Sequence, residues 1–359
     1  MRQSAVLAAV FRGESVESLH RGDVAVVAEG GELLAWSGDP RRPVYLRSAA
    51  KPFQATVLLA GGGERFFGLS GDEIAVACAS HGGTPRHVRT VERLLGRGGF
   101  TSANLVCGAH LPMDDASARA LLESGRAPTA LHNNCSGKHA GILLACRMAG
   151  WDPAGYWKPE HPIERQILEC VARFCRIPAP RIGVAVDGCG LPVFRLPLSG
   201  LALGYARLMA RAVDGETAGE RSARRRVRRA MSESPEMVAG RRRFTTDFLR
   251  AGRGRWIGKE GAEGVYAIGL AAEGVEGSVG IAFKIEDGST RARDAVTLAV
   301  LSALGRLPAA AARRLSAYRT PEVTNAAGWV VGGIRPALTL ATGDNRGVRP
   351  RARRTARQR

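Results

Sequence analysis

Gly264-Val265-Tyr266-Ala267-Ile268-Gly269-Leu270 and Val279-Gly280-Ile281-Ala282-Phe283-Lys284-Ile285 lie late in the chain, on either side of Gly274 to Gly277. Both are short apolar or β-branched runs bounded by glycine, so they read as two strands joined by a turn. Their counterparts sit at the other end. Val6 to Phe11, Val24 to Ala28 and Glu32 to Trp36 are similar runs, punctuated by Gly22-Asp23 and Gly30-Gly31. They predict an antiparallel N-terminal meander. Helical patterns fill the middle: from Ser48 to the glycines at 61–63, from Thr84-Pro85 through Leu95, from Asn134 to Met148, and from Glu164 to Phe174. Ile182 to Val186 reads as another strand, ending at Asp187-Gly188-Cys189-Gly190, and Ala292 to Leu304 as a last helix. Strands at both ends with helices between predict an α+β fold, in which N- and C-terminal strands complete one antiparallel sheet packed with helices. No repeat or linker divides the chain, so residues 1–342 are expected to form a single domain, followed by a basic tail at 343–359.

Composition bounds the function. The 359 residues are 45% hydrophobic and 24% charged, which suits a globular protein with a sizeable core. The net charge of +19 raises the question of nucleic acid, whose binding is driven largely by phosphate neutralisation. Much of the excess is local. Asn345 to Arg359 hold seven arginines and no acid, and a second cluster runs through Arg221, Arg224, Arg225, Arg226, Arg228 and Arg229. Neither run is interleaved with aromatic residues that could stack on bases. A solvated face and a disordered tail therefore account for them better than a nucleic-acid site. Seven scattered cysteines point to a reducing compartment with free thiols or metal ligands. The apolar run after Met1-Arg2-Gln3 is short and followed at once by Arg12, Glu14 and Glu17, so a first strand is expected rather than a signal peptide. No stretch approaches the roughly 20 apolar residues of a membrane helix. A cytoplasmic protein is expected.

The cations are unevenly divided: 47 arginines against five lysines. An ammonium in a dry pocket can lose its proton and act as a base or a metal ligand, which a guanidinium cannot. Lys158 and Lys284 stand in ordinary surroundings. The other three lie in small-residue motifs. Ser48-Ala49-Ala50-Lys51 opens a helix, where the spacing sets hydroxyl and amine on one turn and backbone N–H groups can stabilise negative charge. Taken alone, it reads equally as an N-cap serine and a solvated lysine. Ser80-His81-Gly82-Gly83 follows a buried run, and Lys259-Glu260-Gly261 precedes a late strand. This order of S-x-x-K, internal serine and K-x-G resembles that of penicillin-binding proteins and serine β-lactamases. The middle motif is not Ser-Asp-Asn and Lys259 is followed by Glu, which argues against a β-lactam substrate.

Cys135 opens a helix in Asn133-Asn134-Cys135-Ser136-Gly137-Lys138-His139, so its thiol pKa should be lowered. Cys189 sits in a glycine-flanked turn beside Asp187. Spacing alone leaves two readings open: a buried thiol with a reactive one, or a zinc site completed by Lys138 or His139. The remaining cysteines, Cys78, Cys107, Cys146, Cys170 and Cys175, fall in apolar runs and are assigned to the core.

Taken in order, several short motifs resemble the asparaginase II (class 3) family of the Rhizobium etli inducible, thermolabile type. They are Val16-Glu17-Ser18-Leu19-His20-Arg21-Gly22, Arg47-Ser48-Ala49-Ala50-Lys51-Pro52, Ser80-His81-Gly82-Gly83, Cys107-Gly108-Ala109-His110, His132 to His139, Asp187-Gly188-Cys189-Gly190 and Lys259-Glu260-Gly261-Ala262-Glu263-Gly264. The resemblance implies a serine β-lactamase/glutaminase-like fold and hydrolysis of L-asparagine to L-aspartate and ammonia. It implies two Ser–Lys pairs in one pocket, Ser48 with Lys51 and Ser80 with Lys259. Zn2+ would be held by Cys135, Lys138 and Cys189, in a structural or substrate-anchoring role. Asp187 would orient the substrate, with Arg47, His81, Gly82 and Asn134 also contacting it. A homodimer is implied as well. Glutamine or a β-lactam-like amide is the alternative substrate, and an arginine-driven nucleic-acid-binding protein is the alternative of another class.

Overall fold

The computed structural model describes residues 3–273 and 277–343. Most of the turn expected at 274–277, and the tail beyond Gly343, lie outside the described residues.

Strands β1 (Ala5–Arg12), β2 (Ser15–Ala28) and β3 (Leu33–Ser37) make the expected N-terminal meander. Strands β4 (Pro43–Tyr45), β5 (Gly183–Val186) and β6 (Pro192–Pro197) form a small separate sheet in the order β4-β6-β5. Then come β7 (Trp256–Glu260), β8 (Val265–Leu270) and β9 (Val279–Ile285), followed by β10 (Glu322–Thr324), β11 (Val330–Pro336) and β12 (Ala341–Thr342). The large sheet runs β10-β11-β1-β2-β9-β8-β7, with β3 pairing both β2 and β12. Its pairings are antiparallel, and the two ends of the chain meet where Gly22–Ala28 pairs with Val279–Ile285. A mixed helix and sheet fold with one antiparallel sheet closed by both termini is thus observed.

The side-chain period of a strand gives the sheet two buried faces. Along β2, Ala25 and Val27 join one apolar cluster while Val24 and Val26 join another. The helices are α1 (Lys51–Ala60), α2 (Gly63–Phe67), α3 (Gly71–Ala77), α4 (Pro85–Arg97), α5 (Asp115–Glu123) and α6 (Ser136–Ala149). They continue as α7 (Pro162–Cys175), α8 (Leu198–Met209), α9 (Ala218–Glu233), α10 (Pro235–Val238), α11 (Phe244–Gly252), α12 (Arg293–Ala303) and α13 (Ala309–Arg314). Helix α8 lies against β2, β8 and β9, with α1 and α7 behind it. Phe244 and Phe248 of α11, Val296 and Leu301 of α12 and Ala311 of α13 cover the other face. The sequence hid α8 because it is buried all round: every residue but Ser199 is buried, Arg207 included. A helix buried on every side has no amphipathic period to detect.

Two expectations are corrected. Gly22-Asp23 is not a turn; strand β2 runs straight through it. A Cβ at Gly22 would stand 2.1 Å from the Lys284 carbonyl oxygen, so this glycine permits close strand approach. The arginines at 221–229 are not simply a solvated face either. Arg224 is fully buried, pairing with Glu216 at 3.0 Å and donating to the Leu208 and Ala210 carbonyls. Arg221 also holds Glu216, Arg226 holds Glu64, and Arg229 holds Glu233. Among the described residues no helix is long and apolar enough to cross a membrane.

Candidate active site

Between β4 and α1 the chain makes a short 3-10 turn, Arg47–Ala50. Leu46 is buried and its N–H donates to the Phe194 carbonyl at 2.9 Å, while Tyr205 of α8 donates to the Ala49 carbonyl at 2.9 Å. Pinned from both sides, Arg47 takes a left-handed conformation, φ 49°. A side-chain-bearing residue held there costs about 1 kcal/mol or more, and such strain gathers at functional sites. The next residue, Ser48, is half-buried. Its hydroxyl makes no hydrogen bond among the described residues.

Lys51 opens α1 and is almost completely buried. Its Nζ donates to the Ser80 Oγ at 3.0 Å, the Ala79 carbonyl at 2.5 Å and the Asn134 carbonyl at 3.4 Å. Ser80 follows α3 and is anchored by its N–H on the Val238 carbonyl at 2.9 Å. From the opposite side, Lys259 donates to the same Ser80 Oγ at 2.8 Å and to the Glu260 carbonyl at 2.9 Å. The sequence paired Lys51 with Ser48. The fold instead brings both amines to Ser80. Nor does Lys259 merely precede a strand; it lies inside β7, at the end of the large sheet.

Lys259 is fully buried, and burial pushes its ammonium down from 10.5 to about 7. Nearby Glu260 opposes the shift and Lys51 adds to it. Glu260 is taken up elsewhere: its carboxylate meets Arg293 at 3.3 Å, Arg243 at 3.1 Å and the Thr245 hydroxyl at 3.3 Å. Although burial works the other way, the Lys259 charge first, then Arg293, Arg243 and the Thr245 hydroxyl, hold its pKa below the ordinary value. Lys259 therefore gains only part of the charge compensation that its neighbour could give.

A second cluster adjoins the first. Asn133 accepts from the Cys135 N–H at 2.8 Å and donates to the Cys107 carbonyl at 2.7 Å, fixing the turn before α6. A Cβ at Gly137 would stand 2.2 Å from the Val76 carbonyl oxygen, so only glycine lets α6 press onto α3 here. That contact brings Lys138 to Cys189, with Nζ to Sγ at 3.0 Å. The Cys189 thiol bonds to Cys135 and holds its pKa well below the ordinary value, although burial opposes this; Lys51 and Lys138 assist. Cys189 is itself pushed up by the same bond. Burial would lower Lys138, but Cys135, Cys189 and Asp187 outweigh it and raise it. Asp187 meets Arg47 at 2.8 Å, joining this cluster to the strained turn beside Ser48.

The fold thus gathers Ser48, Lys51, Ser80, Lys259, Arg47, Asp187, Asn134, Cys135, Lys138 and Cys189 into one region. His81 is placed differently. It is fully buried, its Nδ1 accepts from Gly83 N–H at 3.1 Å, and its Nε2 lies 2.9 Å from Ser136 Oγ. Both nitrogens serve to hold the loop after Ser80. Gly82 accepts from the Asp114 N–H through its carbonyl. Cys78, Cys107, Cys146, Cys170 and Cys175 are buried as expected. Sequence reading missed Tyr205, Asn133 and Glu260 as positioning residues. Asn133 and Glu260 did lie inside motifs that the sequence singled out, Glu260 as a carboxylate next to a rare lysine; Tyr205 carried no signal.

Among the described residues no three His, Cys, Asp or Glu side chains form a metal cluster. A metal here would have to use the Lys138 amine with Cys135 and Cys189. Two sulfurs and, once a metal displaces its proton, the Lys138 nitrogen are nevertheless a donor set that suits a borderline-soft divalent ion with an open position, so the residues fit zinc.

The sequence model of a family described as L-asparaginase II matches residues 8–336. No curated protein matches the chain. Among solved structures, the crystal structure of Mglu in its native form in 4.3 M NaCl aligns at 16% identity, with a TM-score of 0.34, over 79% of this chain and 60% of that one. A second structure of Mglu aligns at 16% identity and a TM-score of 0.33, over 79% of this chain and 66% of the other. The chain therefore spans about two thirds or less of these structures.

Proposed function

Because the chain belongs to the L-asparaginase II family and is therefore an amidohydrolase, we propose that it hydrolyses L-asparagine to L-aspartate and ammonia by Ser–Lys chemistry. The observation that carries this reading is Ser80 Oγ held at 3.0 Å from Lys51 and 2.8 Å from Lys259. A hydroxyl bridging two amines is a proton relay. Its components, and the S-x-x-K turn before α1, support a serine β-lactamase/glutaminase-like arrangement within a single domain.

In this mechanism Ser48 Oγ attacks the side-chain carboxamide carbon, and the C=O electrons move to oxygen. Backbone N–H groups at the start of α1 stabilise that oxyanion, each donor contributing roughly 3 kcal/mol in comparable sites. The serine proton enters at Lys51, and Ser80 hands a proton on to Lys259, which is neutral above about pH 7. The relay returns the proton to the leaving nitrogen, so ammonia departs and an acyl-serine remains. Water then adds by the same relay and releases L-aspartate. Arg47 and Asp187 lie beside Ser48, where they can orient the carboxylate and ammonium of the substrate. Zinc held by Cys135, Lys138 and Cys189 would keep an open coordination position at which substrate could be anchored, and would fix the shape of the pocket.

One observation favours a second assignment of the nucleophile: both amines hydrogen-bond Ser80, and among the described residues neither hydrogen-bonds Ser48. Ammonia release from L-asparagine and from L-glutamine, measured on the wild type and Ser48→Ala, tests the reading. Release from L-asparagine that falls by roughly a thousandfold in Ser48→Ala is expected. Mass spectrometry of a trapped acyl-enzyme then reads the attacking residue, and a label on Ser80 reverses the two serines. A wild type inert on both amides overturns the proposal.

A further inference from the structure

At the far end of α1 lies a cavity of about 820 Å³, a volume in the range of small-molecule sites. Lys51 begins this helix and Ala60 ends it on the cavity wall, about 14 Å away by the helical rise. The floor is apolar, with Val57, Phe174 and Ile177 among its residues. Helix α8 contributes Arg207, which is only 6% exposed.

Arg207 is unusual in its partners. Its Nη1 donates to the Arg173 and Phe174 carbonyls at the end of α7. No carboxylate lies within ion-pair distance among the described residues. Most other charges around the cavity are already paired. Arg173 meets Glu220, Arg176 meets Asp214 at 3.7 Å, and Glu216 is held by Arg221 and Arg224. Glu169 is exposed at the rim. A guanidinium so deeply buried normally acquires an anionic partner, because its desolvation is otherwise only partly offset.

We propose that this cavity is a second ligand site, separate from the amine cluster, for small carboxylates with an apolar body. The body would cover the floor formed by Val57, Phe174 and Ile177, while the carboxylate would meet the Arg207 nitrogens that the α7 carbonyls leave free. The fork of a guanidinium matches the two carboxylate oxygens.

The test is calorimetric titration of the full chain with phenylacetate and with hexanoate, using benzylamine as the cationic control. Saturable binding of at least one carboxylate, with none of benzylamine, is expected. Arg207→Gln should weaken it by about tenfold or more, as loss of a charge-assisted contact implies. Ala179→Trp, which fills the cavity from its wall and leaves Arg207 in place, should abolish it and keeps the test valid if Arg207→Gln does not fold. Lys259→Met should bind as the wild type does. Absence of saturable binding by both carboxylates, wild-type affinity in Ala179→Trp, or loss of binding in Lys259→Met would overturn the proposal.

Discussion

Lys259 and Lys138 are both buried, belong to adjoining clusters, and end in opposite electrostatic states. Lys259 faces a neutral hydroxyl and a second lysine, with its nearest carboxylate shared among Arg293, Arg243 and Thr245, and it drops to about 7. Lys138 faces two sulfurs and Asp187, and it is raised. Burial penalises the ammonium in both places. The partners decide the sign. One chain therefore holds one lysine near neutrality and another firmly charged, from the same side chain.

The most severe way to break this contrast is Lys259→Met. Loss of the terminal proton acceptor should lower kcat/KM for L-asparagine by roughly a thousandfold. The same change should raise stability. A lysine lowered from 10.5 to about 7 on folding binds fewer protons than the unfolded chain between those values. Its penalty is then fully present below pH 7 and vanishes above about 10.5. The variant should melt higher than the wild type at pH 6, and the wild type's gain in stability from pH 7 to 10.5 should flatten. A variant that keeps its activity would remove Lys259 from the relay.

Cys189→Ser tests the other side. Zinc affinity, measured by competition with a chromogenic chelator, should fall by about a hundredfold, since loss of a first ligand costs at least what loss of a supporting one does. Equal zinc content in wild type and variant would take the metal out of the proposed site. A smaller effect is expected from pH. Wild-type kcat/KM should fall about tenfold per unit below roughly pH 7, as Lys259 becomes protonated. Glu260→Gln removes the carboxylate that raises Lys259, so the midpoint should move to lower pH. A midpoint that moves upward would show that Glu260 acts through Arg243 and Arg293 instead.

Much of this arrangement was legible early. The antiparallel meander, the late strand pair and the helices ending at Gly61 and Gly150 all followed from apolar period and glycine placement. The Ser–Lys and cysteine motifs stood out because lysine is so scarce in this chain. What stayed hidden had physical causes. Helix α8 shows no amphipathic period because it is buried on every side, Arg207 included. Gly22 looked like a turn, since a glycine that admits a neighbouring backbone and one that bends its own chain look identical in one dimension. The arginines of α9 read as solvent-facing because no sequence signal reports that Glu216 and two carbonyls wait beneath Arg224.

The residue types by themselves determined which groups could carry chemistry: a few lysines able to lose a proton, hydroxyls near them, and two cysteines in tight turns. Tertiary structure alone decided which amine meets which hydroxyl. Lys51, Ser80 and Lys259 are separated by 29 and 179 residues, and only the packing of α1, α3 and β7 sets them around one oxygen. Proton affinity depends on distance and dielectric, and neither exists until the chain has folded.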